Sequence, residues 1–350
     1  MVLVTYPDSF AMEEAKSLVD SSEGRKNVRT FTQKYLNHSQ YGMGAGKAEE
    51  LKEFVKECKA EQIIVDEHLT SKQIFNLEKL TGVKVIDRER LILDIFYSRA
   101  TTTEAKLQIE LAEIQYQMPR VRENAKMSSG TERPGKGGSG EYVVDVKFRD
   151  LKRRIGFIKQ KLKEAGKKRD LYQQQRLKQK MPVISLVGYT SAGKTTLFNI
   201  LTADRKKTSS SLFTTLSTTT RSLKIDEELN DVLLIDTVGF ISRLPTYMID
   251  AFKSTLEESL QADMILLLVD SSEELNSIRI KYASCMDVLH ELRVDNDKVI
   301  VLLTKYDTTD EQKIAEITDV LKLQNPIVVS SQTRYGIRKL INAMKTTKRT

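Results

Sequence analysis

The sequence predicts an α/β chain in which a small parallel α/β domain and an antiparallel helical hairpin precede a larger doubly wound phosphate-loop domain. Three observations predict it. Short apolar runs alternate with helical spacing over residues 1–103 and again from 181 onward. Between 104 and 180 a helical periodicity replaces that alternation. A loop of the form G-x-x-x-x-G-K-T then stands where a buried strand gives way to a helix.

In the first region the runs "VLVTY", "VRTFTQ", "QIIVD" and "VKVID" read as strands, and residues 10–20, 47–59, 70–80 and 88–99 as helices. The segment "YGMGAGKAEELKEFV" is glycine-rich before a helix. Gly42, Gly44 and Gly46 lack the strand entry and the acidic partner of a dinucleotide site, so the segment reads as a flexible turn.

From Glu104, Leu107, Leu111, Ile114, Met118 and Val121 step by four and three; after a break Phe148, Leu151, Ile155, Ile158, Leu162, Ala165 and Tyr172 do the same. Two amphipathic helices about one connection predict an antiparallel hairpin over 104–180. The connection, 127–141, holds five glycines and Pro134 and is expected to be a mobile tip. Residues 104–180 carry 20 Lys plus Arg against 10 Asp plus Glu, while the whole chain has a net charge of +8, so this segment holds the entire basic excess. Its charged face is either a solvated helix surface or an RNA-facing arm, with Lys152, Arg153, Arg154, Lys167, Lys168 and Arg169 as candidate phosphate contacts.

Residues 181–350 supply the strands "VISLV", "VLLID", "MILLLVD", "KVIVLLT" and "PIVVS". After the first, the loop Gly188, Tyr189, Thr190, Ser191, Ala192, Gly193, Lys194, Thr195 and Thr196 turns into a helix. Its glycines let backbone N–H groups and the helix N-terminus face phosphates. Lys194 is placed to reach the β- and γ-phosphates, and Thr195 to hold Mg²⁺ through its hydroxyl. In "LLIDTVGF", Asp236 ends a buried strand as a second candidate Mg²⁺ ligand, Thr237 and Val238 follow, and the Gly239 N–H is placed to meet a γ-phosphate. In "VIVLLTKYD", Thr304 opens a base-reading segment. The stem of Lys305 is expected to lie over the ring, and Asp307 to accept from guanine N1–H and the 2-amino group. Adenine has no such donor pair, so the nucleotide is expected to be GTP. Ser330, Ser331 and Gln332 complete the base site, with the Ser331 N–H near guanine O6.

Four motifs in this order resemble the translation-factor-related GTPases. "GYTSAGKTTLFN", "LFTTLSTTTRSL", "DTVGFISRLPTYMIDAFKSTLEE" and "ADMILLLVDSS" are similar to the HflX family in particular, as are "GAGKAEEL", "NLEKLTGVKVIDRERLILDIF" and "ATTTEAKLQIELAEIQYQMPRV" in the first two regions. The resemblance implies a cytoplasmic P-loop GTPase that binds the large ribosomal subunit and its RNA and, in some members, separates ribosomes into subunits. It also implies a switch I segment formed by Phe213, Thr214, Thr215, Leu216 and Ser217, with Thr215 as the third Mg²⁺ ligand and Thr214 as the alternative. Lys194, Thr195 and Gly239 are then the catalytic candidates. Phe240 follows Gly239 where Ras-like proteins carry a water-orienting Gln; a phenyl ring cannot orient water by hydrogen bonding, so intrinsic turnover is expected to be slow. Thr304 stands where Asn is usual, which predicts a looser contact between that strand and the phosphate loop. Ser191 replaces a common Asn, so potassium stimulation is not carried over.

Composition narrows the alternatives. No apolar run approaches the length of a membrane span, and the N-terminus has no basic region followed by an apolar stretch, so a cytoplasmic chain is expected. Cys58 and Cys285 are far apart and His38, His68 and His290 are scattered, which argues against a disulfide framework or a zinc site. A monomer is expected. The alternative function is an RNA-binding ribosome assembly or stress factor in which GTP is structural; a small-molecule kinase is disfavoured because Asp307 and Ser331 read guanine and no acceptor lid is evident.

Overall fold

The computed structural model describes residues 1–22, 27–129, 139–178, 181–203, 212–213, 219–225, 231–252 and 262–347. They fall into two compact units, Met1–Ser98 with Lys106–Lys163, and Arg99–Ala105 with Glu164–Thr350.

The first unit begins with β1 (Val2–Thr5), α1 (Ser9–Ser21), β2 (Arg29–Thr32), α2 (Ala45–Glu57), β3 (Gln62–Val65), α3 (Ser71–Thr81), β4 (Lys84–Asp87) and α4 (Arg88–Arg99). The strands form a parallel sheet in the order β2-β1-β3-β4. Apolar residues on β1 and β3 (Val2, Val4, Ile63, Val65) pack with Leu51 of α2 and Leu77 of α3. Local signals fix the helix starts: Asp8 accepts from Ala11 N at 2.9 Å, and Thr70 and Gln73 form a reciprocal capping box. Gly42 bridges back to His38 and Gly44 is the N-cap of α2, so the glycine-rich segment is a turn into a helix. Beyond the carboxyl ends of β1 and β3, Arg88 is buried between Glu14 and Asp66, each at 2.6 Å, and Thr5 donates to Asp66 at 2.9 Å. A buried charge is tolerated when paired in this way.

Two long helices follow, α5 (Thr103–Ser129) and α6 (Ser139–Lys178). They extend further into the connection than its glycine content suggests, and residues 130–138 lie outside the described residues. Arg154 of α6 makes a two-pronged ion pair with Glu110 of α5, at 2.5 and 2.8 Å. These positions lie at similar separations from the connection, as an antiparallel hairpin requires. Helix α5 is held at β4, where the buried Asp87 accepts from Tyr116 at 3.0 Å and Arg120 at 2.7 Å.

The second unit contains β5 (Val183–Gly188), α7 (Lys194–Thr202), β6 (Thr219–Leu223), β7 (Val232–Asp236), β8 (Met264–Asp270), α8 (Leu275–Glu291), β9 (Val299–Thr304), α9 (Glu311–Leu321), β10 (Ile327–Val328) and α10 (Ile337–Lys345). The sheet order is β10-β9-β8-β5-β7-β6, parallel except for β6 against β7. The chain passes from β5 to β7 on one side and returns to β8 on the other. The carboxyl end of β5 is therefore the switch point at which doubly wound sheets bind ligands. Strand β6 is absent from the sequence reading because "TTRSL" has no apolar alternation; it is an edge strand with no deeply buried face.

Gly336, the N-cap of α10, has φ +71, and a Cβ there would lie 1.9 Å from Val328 O. Both the backbone sign and the fixed carbonyl exclude a side chain. Gly336→Ala is expected to destabilise the chain by about 2–4 kcal/mol, measured by denaturant unfolding.

Candidate nucleotide site

The phosphate loop starts where β5 meets a steric limit. Gly188 has φ +151, and a Cβ there would lie 2.5 Å from Leu268 O on the adjacent strand β8. The loop turns through Ser191 at φ 64 and reaches Gly193, the N-cap of α7, at φ +93. The positive end of α7 and its first N–H groups then face the mouth of the loop.

Lys194 is 6% exposed, and its Nζ donates to Gly188 O at 2.9 Å and Tyr189 O at 2.7 Å. Burial pulls its pKa down to about 8, and Asp236 opposes part of that shift. The folded chain thus releases this proton below the ordinary lysine value of 10.5. Between these limits the unfolded chain binds more protons, so Lys194 penalises the fold least above them. Relative to Lys194→Met, stability is expected to rise as pH climbs from about 8 toward 10.5. Paired thermal melts at several pH values check this; parallel curves would contradict it.

Beside the lysine, Thr195 Oγ1 donates to Asp236 Oδ2 at 3.1 Å. Asp236 is fully buried at the end of β7. A hydroxyl and a carboxylate oxygen converging at a helix N-terminus fit the hard oxygen donor set of Mg²⁺. Thr237 faces inward, donating to Leu186 O at 2.7 Å.

The next residues lie directly on the phosphate loop. Phe240 N donates to Gly188 O at 3.1 Å and Thr190 N to Phe240 O at 2.8 Å, a parallel bridge between the two segments. Tyr189 accepts from Ser242 N at 2.7 Å through its hydroxyl. Gly239 is packed so closely that a Cβ would lie 2.9 Å from Thr190 Cα and 3.0 Å from Lys194 Nζ. Phe240 is buried at 3% exposure, a hydrophobic residue packed into the fold.

At the ends of β9 and β10, Asp307 accepts from the buried Ser330 hydroxyl. Ser330 Oγ also accepts from Thr333 N at 3.1 Å. Lys305, at φ 59, pairs with Asp270 at the end of β8. Ser331 and Gln332 follow on the loop after β10, the first half-buried and the second exposed. The Thr304 hydroxyl, buried among β8, β9 and the phosphate loop, lies 3.0 Å from Ala192 O and 3.1 Å from Val269 O. The strand thus touches the loop through one hydroxyl, whose single proton serves two carbonyls.

Of switch I, Phe213 is buried with φ 56, while Thr214, Thr215, Leu216 and Ser217 lie outside the described residues. Among the described residues, the structure brings Lys194, Thr195, Asp236 and Gly239 together, and separately groups Lys305, Asp307 and Ser330. Sequence reading missed Ser242, whose partner is 53 positions away, and Asp270. The second had a signal, an acid closing the apolar run "MILLLVD".

A doubly wound sheet with this loop, an acid at the end of β7 and Asp307 after the end of β9 has the build of a P-loop GTPase. Family models match in chain order: GTP-binding GTPase N-terminal over residues 10–97, GTP-binding GTPase Middle Region over 99–176, and 50S ribosome-binding GTPase over 183–305. GTPase HflX of Methanocaldococcus jannaschii is 38% identical over 335 residues, covering 95% of this chain and 82% of that protein. GTPase HflX of Escherichia coli K12 is 36% identical, covering 95% and 78%. The chain belongs to the HflX family of GTPases, and it binds and hydrolyses GTP. A GTP-binding protein from the hyperthermophilic archaeon Sulfolobus solfataricus, solved in complex with GDP, matches with a TM-score of 0.50 at 26% identity over 99% of this chain and 97% of that one. No helix among the described residues is long and apolar enough to cross a membrane.

Proposed function

We propose that this chain is a GTP-driven switch that binds the large ribosomal subunit and its RNA, acting in the cytoplasm as a monomer to split or rescue ribosomes. Residues 1–103 and the basic hairpin 104–180 carry it to the subunit, and residues 181–350 are the GTPase domain. The observation that carries the switch reading is the backbone bridge of Phe240 to Gly188 and Thr190. A ligand that rearranges the loop must also act on the segment after Gly239, and nucleotide state becomes segment position. The basic excess of the hairpin and the ribosome-binding description of the matching family model support the partner.

In this reading Gly188–Thr196, Phe213–Ser217, Asp236–Gly239, Thr304, Lys305, Asp307 and Ser330–Gln332 form the GTP site. Lys194 neutralises charge on the β- and γ-phosphates, and the Gly239 N–H donates to the γ-phosphate. Thr195, Asp236 and Thr215 hold Mg²⁺, which when bound neutralises phosphate charge. Asp307, oriented by Ser330, selects guanine. With Phe240 buried and unable to orient water, turnover depends on a partner to position the nucleophile. The GTPase rate is expected to rise strongly with purified large subunits and to stay at its intrinsic value with small subunits. No stimulation by large subunits would leave the assembly-factor reading, with GTP in a structural role.

A further inference from the structure

Helix α6 carries an aromatic ring where its own periodicity calls for a solvated residue. Leu151, Ile155, Ile158 and Leu162 form its partly or fully buried stripe, while Phe157 lies off that stripe and is 47% exposed. Its surroundings are strongly cationic: residues 149–163 contain seven Lys or Arg against one Asp. The Arg154 guanidinium lies 5.1 Å from the Phe157 ring centroid and Lys161 Nζ lies 5.9 Å from it. Arg154 is fixed in turn by its two-pronged pair with Glu110. The ring is therefore approached by cations from the helical turns before and after it, and nearly half of it remains open to solvent.

We propose that Phe157 is a stacking platform for an unpaired RNA base, with the surrounding cations, Arg153 at 83% side-chain exposure among them, drawing in the phosphates of the same strand. The inference rests on the ribosomal reading above and adds the feature of the RNA that is recognised. A singly exposed apolar side chain is ordinary on a protein surface; what sets Phe157 apart is the cluster of cations around it, and cations interleaved with an aromatic are how proteins hold single strands without reading sequence. Base-paired RNA keeps its base faces stacked on one another and so offers the ring nothing. A membrane surface is the poorer match, because an interfacial helix needs a broad apolar face and this one presents a single ring among charges.

The test uses the full chain, a short oligoadenylate, and a blunt RNA duplex. Phe157→Leu keeps every charge, so it should weaken oligoadenylate binding by about 5- to 150-fold while leaving the salt slope and duplex binding unchanged. The chain contains no tryptophan, so Phe157→Trp adds a unique fluorophore; its emission should be quenched as oligoadenylate saturates and its affinity should match or exceed wild type. Equal affinity of Phe157→Leu and wild type, or unchanged emission of Phe157→Trp at saturation, overturns the proposal. So does a blue shift of that emission with anionic phosphatidylserine vesicles but none with RNA, which would assign the ring to a membrane. Failure of the wild-type chain to bind either oligoadenylate or large subunits would instead sink the ribosomal reading itself. RNA binding indifferent to residue 157 sinks this inference alone.

Discussion

Lys194→Ala is expected to abolish measurable GTP turnover while the chain stays folded. The lysine is buried at the mouth of the phosphate loop, where its pKa is lowered to about 8 because solvent is excluded. Its charge is thus poorly screened and acts strongly on phosphate oxygens, and removing one preorganised group of this kind costs on the order of 10²–10³ in rate. The folded chain gains little from that ammonium. Its bonds go to two carbonyls of its own loop, Gly188 O and Tyr189 O, and its burial carries a desolvation cost. Single-turnover hydrolysis beside a thermal melt separates the two effects. Hydrolysis at the wild-type rate would remove Lys194 from the catalytic set.

Asp307→Asn should reverse base preference from guanine toward xanthine. The Ser330 hydroxyl donates to one oxygen of the carboxylate, and an asparagine in the same rotamer would keep its carbonyl there. That carbonyl has a second lone pair for the N1–H that both bases carry, while the amide N–H opposes the 2-amino group of guanine and matches the 2-oxo group of xanthine. Two hydrogen bonds to a charged acceptor are worth about 1.5–3 kcal/mol each, so GTP affinity should fall by about 10²- to 10⁴-fold while xanthosine triphosphate affinity rises. Competition binding with both nucleotides decides it, and retained GTP preference would assign base reading to another residue.

Much of this architecture was legible because it is written locally. The buried strands β5, β7 and β8 are continuous apolar runs, and the phosphate loop announces itself by glycines whose φ values, +151 at Gly188 and +93 at Gly193, other residues rarely adopt. The apolar stripe of α6 was readable for the same reason. What escaped depends on distant partners. Arg88 looks like a surface charge on a helix, yet Glu14 lies 74 positions away and Asp66 22 positions away in sequence. Thr304 approaches Ala192 across 112 positions. Strand β6 escaped because an edge strand imposes so little on its side chains that "TTRSL" suffices.

The bridge between the phosphate loop and Phe240 consists of main-chain bonds, Phe240 N to Gly188 O and Thr190 N to Phe240 O. It follows that mutational robustness is built into this coupling. Alanine at 189, 190, 240 or 241 leaves both bonds standing, and of the three links only the Tyr189 hydroxyl to Ser242 N registers at those positions; Gly188 and Gly239 are the exceptions, because a Cβ at either collides with its neighbours. Sequence drift at these positions can change how the ring of residue 240 packs without uncoupling the two segments. Proline at 190 or 240, which deletes the donor itself, is the substitution that cuts the connection.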